Sequence, residues 1–300
     1  MTAGVELRVG STRALIAPSV GGALASFECS GFPIVRPTSA QAFAEGTVRE
    51  FACYPLVPYS NRIAQAMLLW NGVLHPLPRY VAEQAHAIHG NAWQRAWSVI
   101  EHSERRATLE LVHRPLAAHG DEWPFAYRAE QRFDLAADHL ELRLEIRNDD
   151  AQSVPVGLGW HPFFERTADT ELEFCADGVW RTDDTLLPIG HTAVPAEWDF
   201  RTARAIGSTA IDNCFSGWHV PARVRWPSRR ISVEISASDA CDHLVVYVPP
   251  ERDFIAIEPV THMTDAFNRA ARGISGTGTR TLAPGDAFSC TMRLSMRHDG

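Results

Sequence analysis

The chain has 300 residues, 45% of them hydrophobic, with a formal net charge of -8. That is enough apolar material for a sizeable core, and the acidic balance excludes the basic footprint that nucleic acid demands. All 28 Lys-plus-Arg residues are arginine, which removes Schiff-base lysines, pyridoxal phosphate anchoring and the P-loop lysine from consideration.

In chain order the dominant pattern is period-2 alternation. It predicts strands at Val5–Val9, 109–113, Tyr127–Leu135, His139–Asn148, 220–226, 231–235 and 288–296. Asn71-Gly72, flanked by apolar residues 68–70 and 73–77, predicts a hairpin with a type I′ turn. Helical spacing is confined to residues 39–44 and 264–272, the second stopped by Gly273. No linker or fixed-period repeat divides the chain. The expectation is one all-β domain over residues 1–300, a large antiparallel β-sandwich. The six cysteines show no CxxC spacing, residues 1–10 carry no apolar leader core, and no run is long enough to span a membrane. These features predict a reduced, cytoplasmic protein with no membrane partner.

Five segments carry polar groups that a strand pattern does not require. Residues 54–63, YPLVPYSNRI, read as a shaped loop presenting Asn61 and Arg62, whose planar donor fork suits either several sugar oxygens or a surface ion pair. Residues 87–97, AIHGNAWQRAW, put His89 at a tight turn before Gly90. His86 and His89 lack the partners of a zinc signature, so no metal site is expected. Residues 157–164, GLGWHPFF, hold His161 among aromatic groups, as a proton shuttle or as a core histidine. Residues 211–218, IDNCFSGW, set Asp212 beside aromatics, which suits either a sugar or an Asx-turn. Residues 254–268 place Glu258 at the end of an apolar strand, fixed by Pro259. A carboxylate there needs a partner, as a general base or in a salt bridge.

Taken in order, these segments resemble the aldose 1-epimerase (galactose mutarotase) family, through the SNRI loop, the HG turn with a downstream tryptophan, the HPFF strand, the D-x-x-F element and the EP strand end. The resemblance runs from about residue 19 to about 293. It implies a galactose mutarotase-like supersandwich and a cofactor-free isomerase acting on a monosaccharide. It implies Glu258 as the base at the C1 hydroxyl, His161 as the acid at the ring oxygen and His89 as a second histidine there. Arg62 and Asp212 match sugar-binding residues, with Asn61 as a neighbour, and Trp97 and Trp160 are the expected sugar-facing aromatics. The chemistry needs only such a pair, because anomers interconvert by opening and reclosing a hemiacetal.

Three other functions compete. A hexose-6-phosphate mutarotase needs extra arginines around the cleft, and the sequence suggests only Arg62 and Arg95, so a free aldose is the preferred substrate. A glycosidase using Asp212 and Glu258 leaves His161 without a role. A non-catalytic sugar-binding module needs no acid–base pair. The particular sugar and the oligomeric state, homodimer included, stay open.

Overall fold

The protein is described from a computed structural model covering residues 4–116, 119 and 121–298. Among these, α-helix is limited to Ala40–Glu45 and Ala266–Ala271, and the rest of the regular structure is almost entirely antiparallel strand. No helix among the described residues is long and apolar enough to cross a membrane.

The larger sheet has nine strands. In spatial order these are Ser98–His102, Arg106–His113, Tyr127–Leu135, His139–Asn148, Ala287–His298, Ile231–Ala237, Ala222–Trp226, Glu171–Glu173 and Arg204–Ala205. The strand His139–Asn148 shows why it forms. Leu140, Leu142, Leu144 and Ile146 are at most 1% exposed, while Glu141, Arg143 and Glu145 alternate onto the outer face. Burying each of those side chains stabilises by roughly 1.5–3 kcal/mol. Outer-face ion pairs such as Arg293 with Glu141 contribute ~0–1 kcal/mol. The apolar face therefore sets the register, since a one-residue slip would expose all four.

The facing sheet has eight strands: Pro188–Thr192, Gly178–Thr182, Ile211–Ser216, His243–Val248, Phe254–Val260, Gly159–Trp160 and Pro55–Leu56 in order, with Phe163–Glu165 also paired to Phe254–Val260. Its central strands are buried nearly throughout, because core lies against one face and loops cover the other. A four-stranded amino-terminal sheet, Val5–Val9 to Phe32–Pro33, is tied in by Thr12, whose hydroxyl donates to the Ala137 carbonyl at 2.6 Å. Gln131 adds a 2.7 Å bond to the Gly22 carbonyl.

The architecture is the antiparallel β-sandwich that the alternation predicts. The expected hairpin forms as Met67–Trp70 and Val73–Pro76, with Asn71 and Gly72 both at positive φ. One expectation needs correction. Glu258 lies inside its strand, which continues through Pro259 to Val260. By register Pro259 falls opposite Trp160, the last residue before the neighbouring strand leaves the ladder at residues 161–162, and proline is tolerated at such an end of pairing.

Candidate active site

That break builds the site. Gly159 pairs with Val260 and Phe163 with Ala256, one continuous register that sets His161 directly opposite Glu258. His161 Nε2 lies 3.3 Å from Glu258 Oε1. The pleat places Phe254 and Glu258 on one face, alongside Val245 and Tyr247 of the next strand and Asp212 of the strand beyond. These five residues all line one cleft of about 210 Å³.

The opposite wall comes from the loops. Arg62–Ile63 pairs with Ala87–Ile88, which brings Asn61 beside His89. Both residues adopt positive φ, and they exchange backbone contacts: the Asn61 N–H donates to His89 Nδ1 at 3.0 Å, and the His89 N–H to the Asn61 carbonyl at 2.9 Å. Accepting at Nδ1 leaves neutral His89 with its proton on Nε2. Gly90 (φ +68°) follows, where an added Cβ would sit 2.1 Å from the Val57 carbonyl oxygen, so the turn requires glycine. Trp93 Nε1 donates to the Gly90 carbonyl at 3.1 Å, and its ring stacks on Tyr54. The His161 ring is held by Phe163, stacked at 4.3 Å, and by Tyr54 at 4.9 Å.

Burial governs the charges. It pushes the Glu258 carboxyl well above the usual carboxylate range; the nearby Asp212 charge adds to this and Arg62 opposes it. Burial likewise lowers His161 to about 3 and His89 well below its ordinary value. Across the 3.3 Å separating Glu258 from His161, desolvation disfavours the charged form of both groups. Asp212 is raised by burial against the opposing pull of Arg62, whose Nη2 lies 3.6 Å from Asp212 Oδ2. Arg62 Nη1 also donates to Asn61 Oδ1 at 3.1 Å. Glu258 Oε2 and Gln84 Oε1, on lining residues, are buried without a hydrogen-bond partner among the described residues. Each such atom costs roughly 1–3 kcal/mol, which a hydroxyl-rich ligand would recover.

Of the residues expected from sequence, Asn61, Arg62, His89, His161, Asp212 and Glu258 all line this cleft. Trp97 and Trp160 do not, and that expectation is corrected. Trp160 precedes His161 on its strand, so the pleat turns it to the core side, where it is 0% exposed. Trp97 donates to the Ala92 carbonyl and packs against Gly22. Arg95 pairs with Glu122 at 2.9 Å, outside the cleft lining. The aromatic walls are instead Tyr54, Trp93, Phe163, Tyr247 and Phe254. Two further arginines, Arg49 and Arg252, also line the cleft; they sit in short turns that carry no sequence signal.

A family model for aldose 1-epimerase matches residues 5–295. The uncharacterized Escherichia coli K12 protein YphB is 28% identical over 282 residues, covering 91% of this chain and 92% of that protein. A crystal structure described as that of a candidate aldose 1-epimerase from E. coli K12 superposes with a TM-score of 0.88 at 27% identity, over 99% of each chain. A galactose mutarotase-like protein from Clostridium acetobutylicum shares the fold at a TM-score of 0.86 and 19% identity, over 98% of this chain and 94% of its own. The chain belongs to the aldose 1-epimerase family.

Proposed function

We propose that this chain is a mutarotase, a single-domain enzyme that interconverts the α and β anomers of an aldose by acid–base ring opening. The observation that carries this reading is the 3.3 Å approach of His161 Nε2 to Glu258 Oε1 at the floor of the cleft. O1 and O5 of a hemiacetal are bonded to the same carbon. An acid and a base this close together can therefore each reach one of them.

Glu258, as carboxylate, takes the O1 proton while His161 gives its proton to O5 and the C1–O5 bond breaks. Arg62, which opposes the rise in the Glu258 pKa, favours this carboxylate form. The open-chain aldehyde rotates about C1–C2, and O5 attacks the other face of C1. His161 then recovers the O5 proton and Glu258 returns the other to O1. Every atom and proton is restored, so the pair needs no external reagent. His89 Nε2–H supplies a neutral donor toward the ring oxygen, since its Nδ1 is occupied by the Asn61 N–H. Asp212, held by Arg62, accepts from sugar hydroxyls, and the aromatic walls cover the C–H faces of the ring.

Two-dimensional exchange NMR on mixed anomers tests the proposal. Accelerated exchange that disappears in Glu258→Gln is the expected result. Sugar binding without accelerated exchange would instead identify a binding module.

A further inference from the structure

Glu258, His161, His89, Arg62 and Asp212 suffice for a neutral sugar, yet two more cations face the same cleft. Arg49 comes from the short 3₁₀ turn Val48–Glu50 and Arg252 from the turn before Phe254–Val260, segments about 200 positions apart in the chain. Both are exposed at the rim, and among the described residues neither makes an ion pair or a side-chain hydrogen bond. Their acidic sequence neighbours do not compensate them within the cleft: Glu50, Glu251 and Asp253 are not part of its lining, and the charges of Glu50 and Asp253 act on Arg36.

The charge balance of the cleft follows. Three guanidiniums line it, Arg49, Arg62 and Arg252. Against them stand two carboxyl groups, of which Asp212 is engaged by Arg62 and Glu258 lies 3.3 Å from His161 Nε2. The cleft is therefore electropositive within a chain of net charge -8. Leaving two like charges at one mouth is unfavourable unless something negative sits between them, and guanidinium forks match phosphate and carboxylate geometry. Along the strand Phe254 falls between Arg252 and Glu258, with Tyr247 of the neighbouring strand on the same face, so aromatic surface lies between the arginine and the carboxyl.

We infer that the substrate is an aldose carrying a negative group remote from C1, a sugar phosphate or a uronate, with Arg49 and Arg252 gripping that group at the mouth of the cleft. This rests on the mutarotase reading and specifies its substrate class. Because the rim is exposed, the grip is electrostatic and salt-sensitive.

The test is anomer-exchange NMR on the purified full chain with glucose, glucose 6-phosphate and glucuronate, in the wild type and in the Arg49→Gln/Arg252→Gln double variant. The expected result is a kcat/KM at least about tenfold higher for an anionic sugar than for glucose, and a ratio that collapses toward one in the double variant. Raising salt to about 1 M, where the Debye length is about 3 Å, should erode the same ratio. The two anionic substrates separate phosphate from carboxylate as the group gripped. Faster or equal turnover of glucose in the wild type overturns this inference and leaves the mutarotase reading standing. No acceleration with any of the three sugars overturns the mutarotase reading and this inference with it. The single variants Arg49→Gln and Arg252→Gln give the same readout should the double variant be poorly folded.

Discussion

Asn61 and His89 clamp each other: the N–H of Asn61 donates to the imidazole Nδ1 of His89, and the N–H of His89 donates back to the carbonyl of Asn61. The two bonds, 3.0 and 2.9 Å, join a loop to a turn 28 residues away and fix the tautomer of a buried histidine. The consequences of this and the other contacts of the cleft are measurable.

Glu258→Gln should reduce mutarotation by roughly 10²–10⁴-fold, the usual contribution of one proton-transfer group, with sugar affinity largely kept. Stability should move the other way. Burial raises the Glu258 pKa, so the folded state gives up this proton at higher pH than the unfolded chain does, which costs stability as pH rises above the ordinary carboxylate range. Glutamine removes that cost, and the melting temperature at pH 7 should equal or exceed that of the wild type. A large fall in melting temperature would contradict this account of the site.

His161→Asn should lose activity on the same scale. In the wild type the acidic limb of kcat/KM should lie well below pH 6.5, because burial lowers His161 to about 3. A limb at the ordinary histidine value would contradict this lowering of His161 by burial.

Global stability should fall as pH drops below about 6.5. His89, His161 and His262 are buried, with His262 lowered to about 4, so the unfolded chain binds protons that the folded chain refuses. Each contributes a slope of roughly 1.4 kcal/mol per pH unit inside its window. Glu258, Asp212 and Asp265 act in the opposite sense, and His75, His86 and His113 add to the histidine side. Urea titrations at pH 7.5 and 5.5 read the sign directly.

Gly90→Ala should destabilise by about 2 kcal/mol or more, from positive φ and a Cβ driven against the Val57 carbonyl. Chemical denaturation measures the loss.

Trp93→Ala and Trp97→Phe should separate the two tryptophans. The first removes cleft wall and should raise KM. The second removes the bond to the Ala92 carbonyl and should cost about 1 kcal/mol of stability while KM stays unchanged.

Much of this was legible in the sequence. Alternation in Tyr127–Leu135 and His139–Asn148 reports a half-buried sheet directly, since one face meets core and the other meets water. The strands that floor the cleft were harder. HLVVYV and FIAIEPV are buried on both faces, so periodicity could not show which side Glu258 and Tyr247 occupy. The five polar segments were visible because each interrupts an apolar run. Trp160 and Trp97 were misplaced because composition shows that an aromatic lies near a site residue, while the pleat and the turn decide where it points. Arg49 and Arg252 left no local trace, as their convergence is a product of topology alone.

The ladder break opposite Glu258 has a wider consequence. Glu258, the proposed base, is anchored in the middle of a sheet with His161 opposite it, whereas Arg49 and Arg252, the proposed grip on the far end of a ligand, hang from short turns at the rim. Turns accept substitutions and insertions that a central strand does not. Within this architecture, the proposed reaction and the proposed choice of sugar rest on separate elements and can therefore diverge independently. New substrates are to be sought by redesigning residues 48–50 and 249–253 while the floor is left intact.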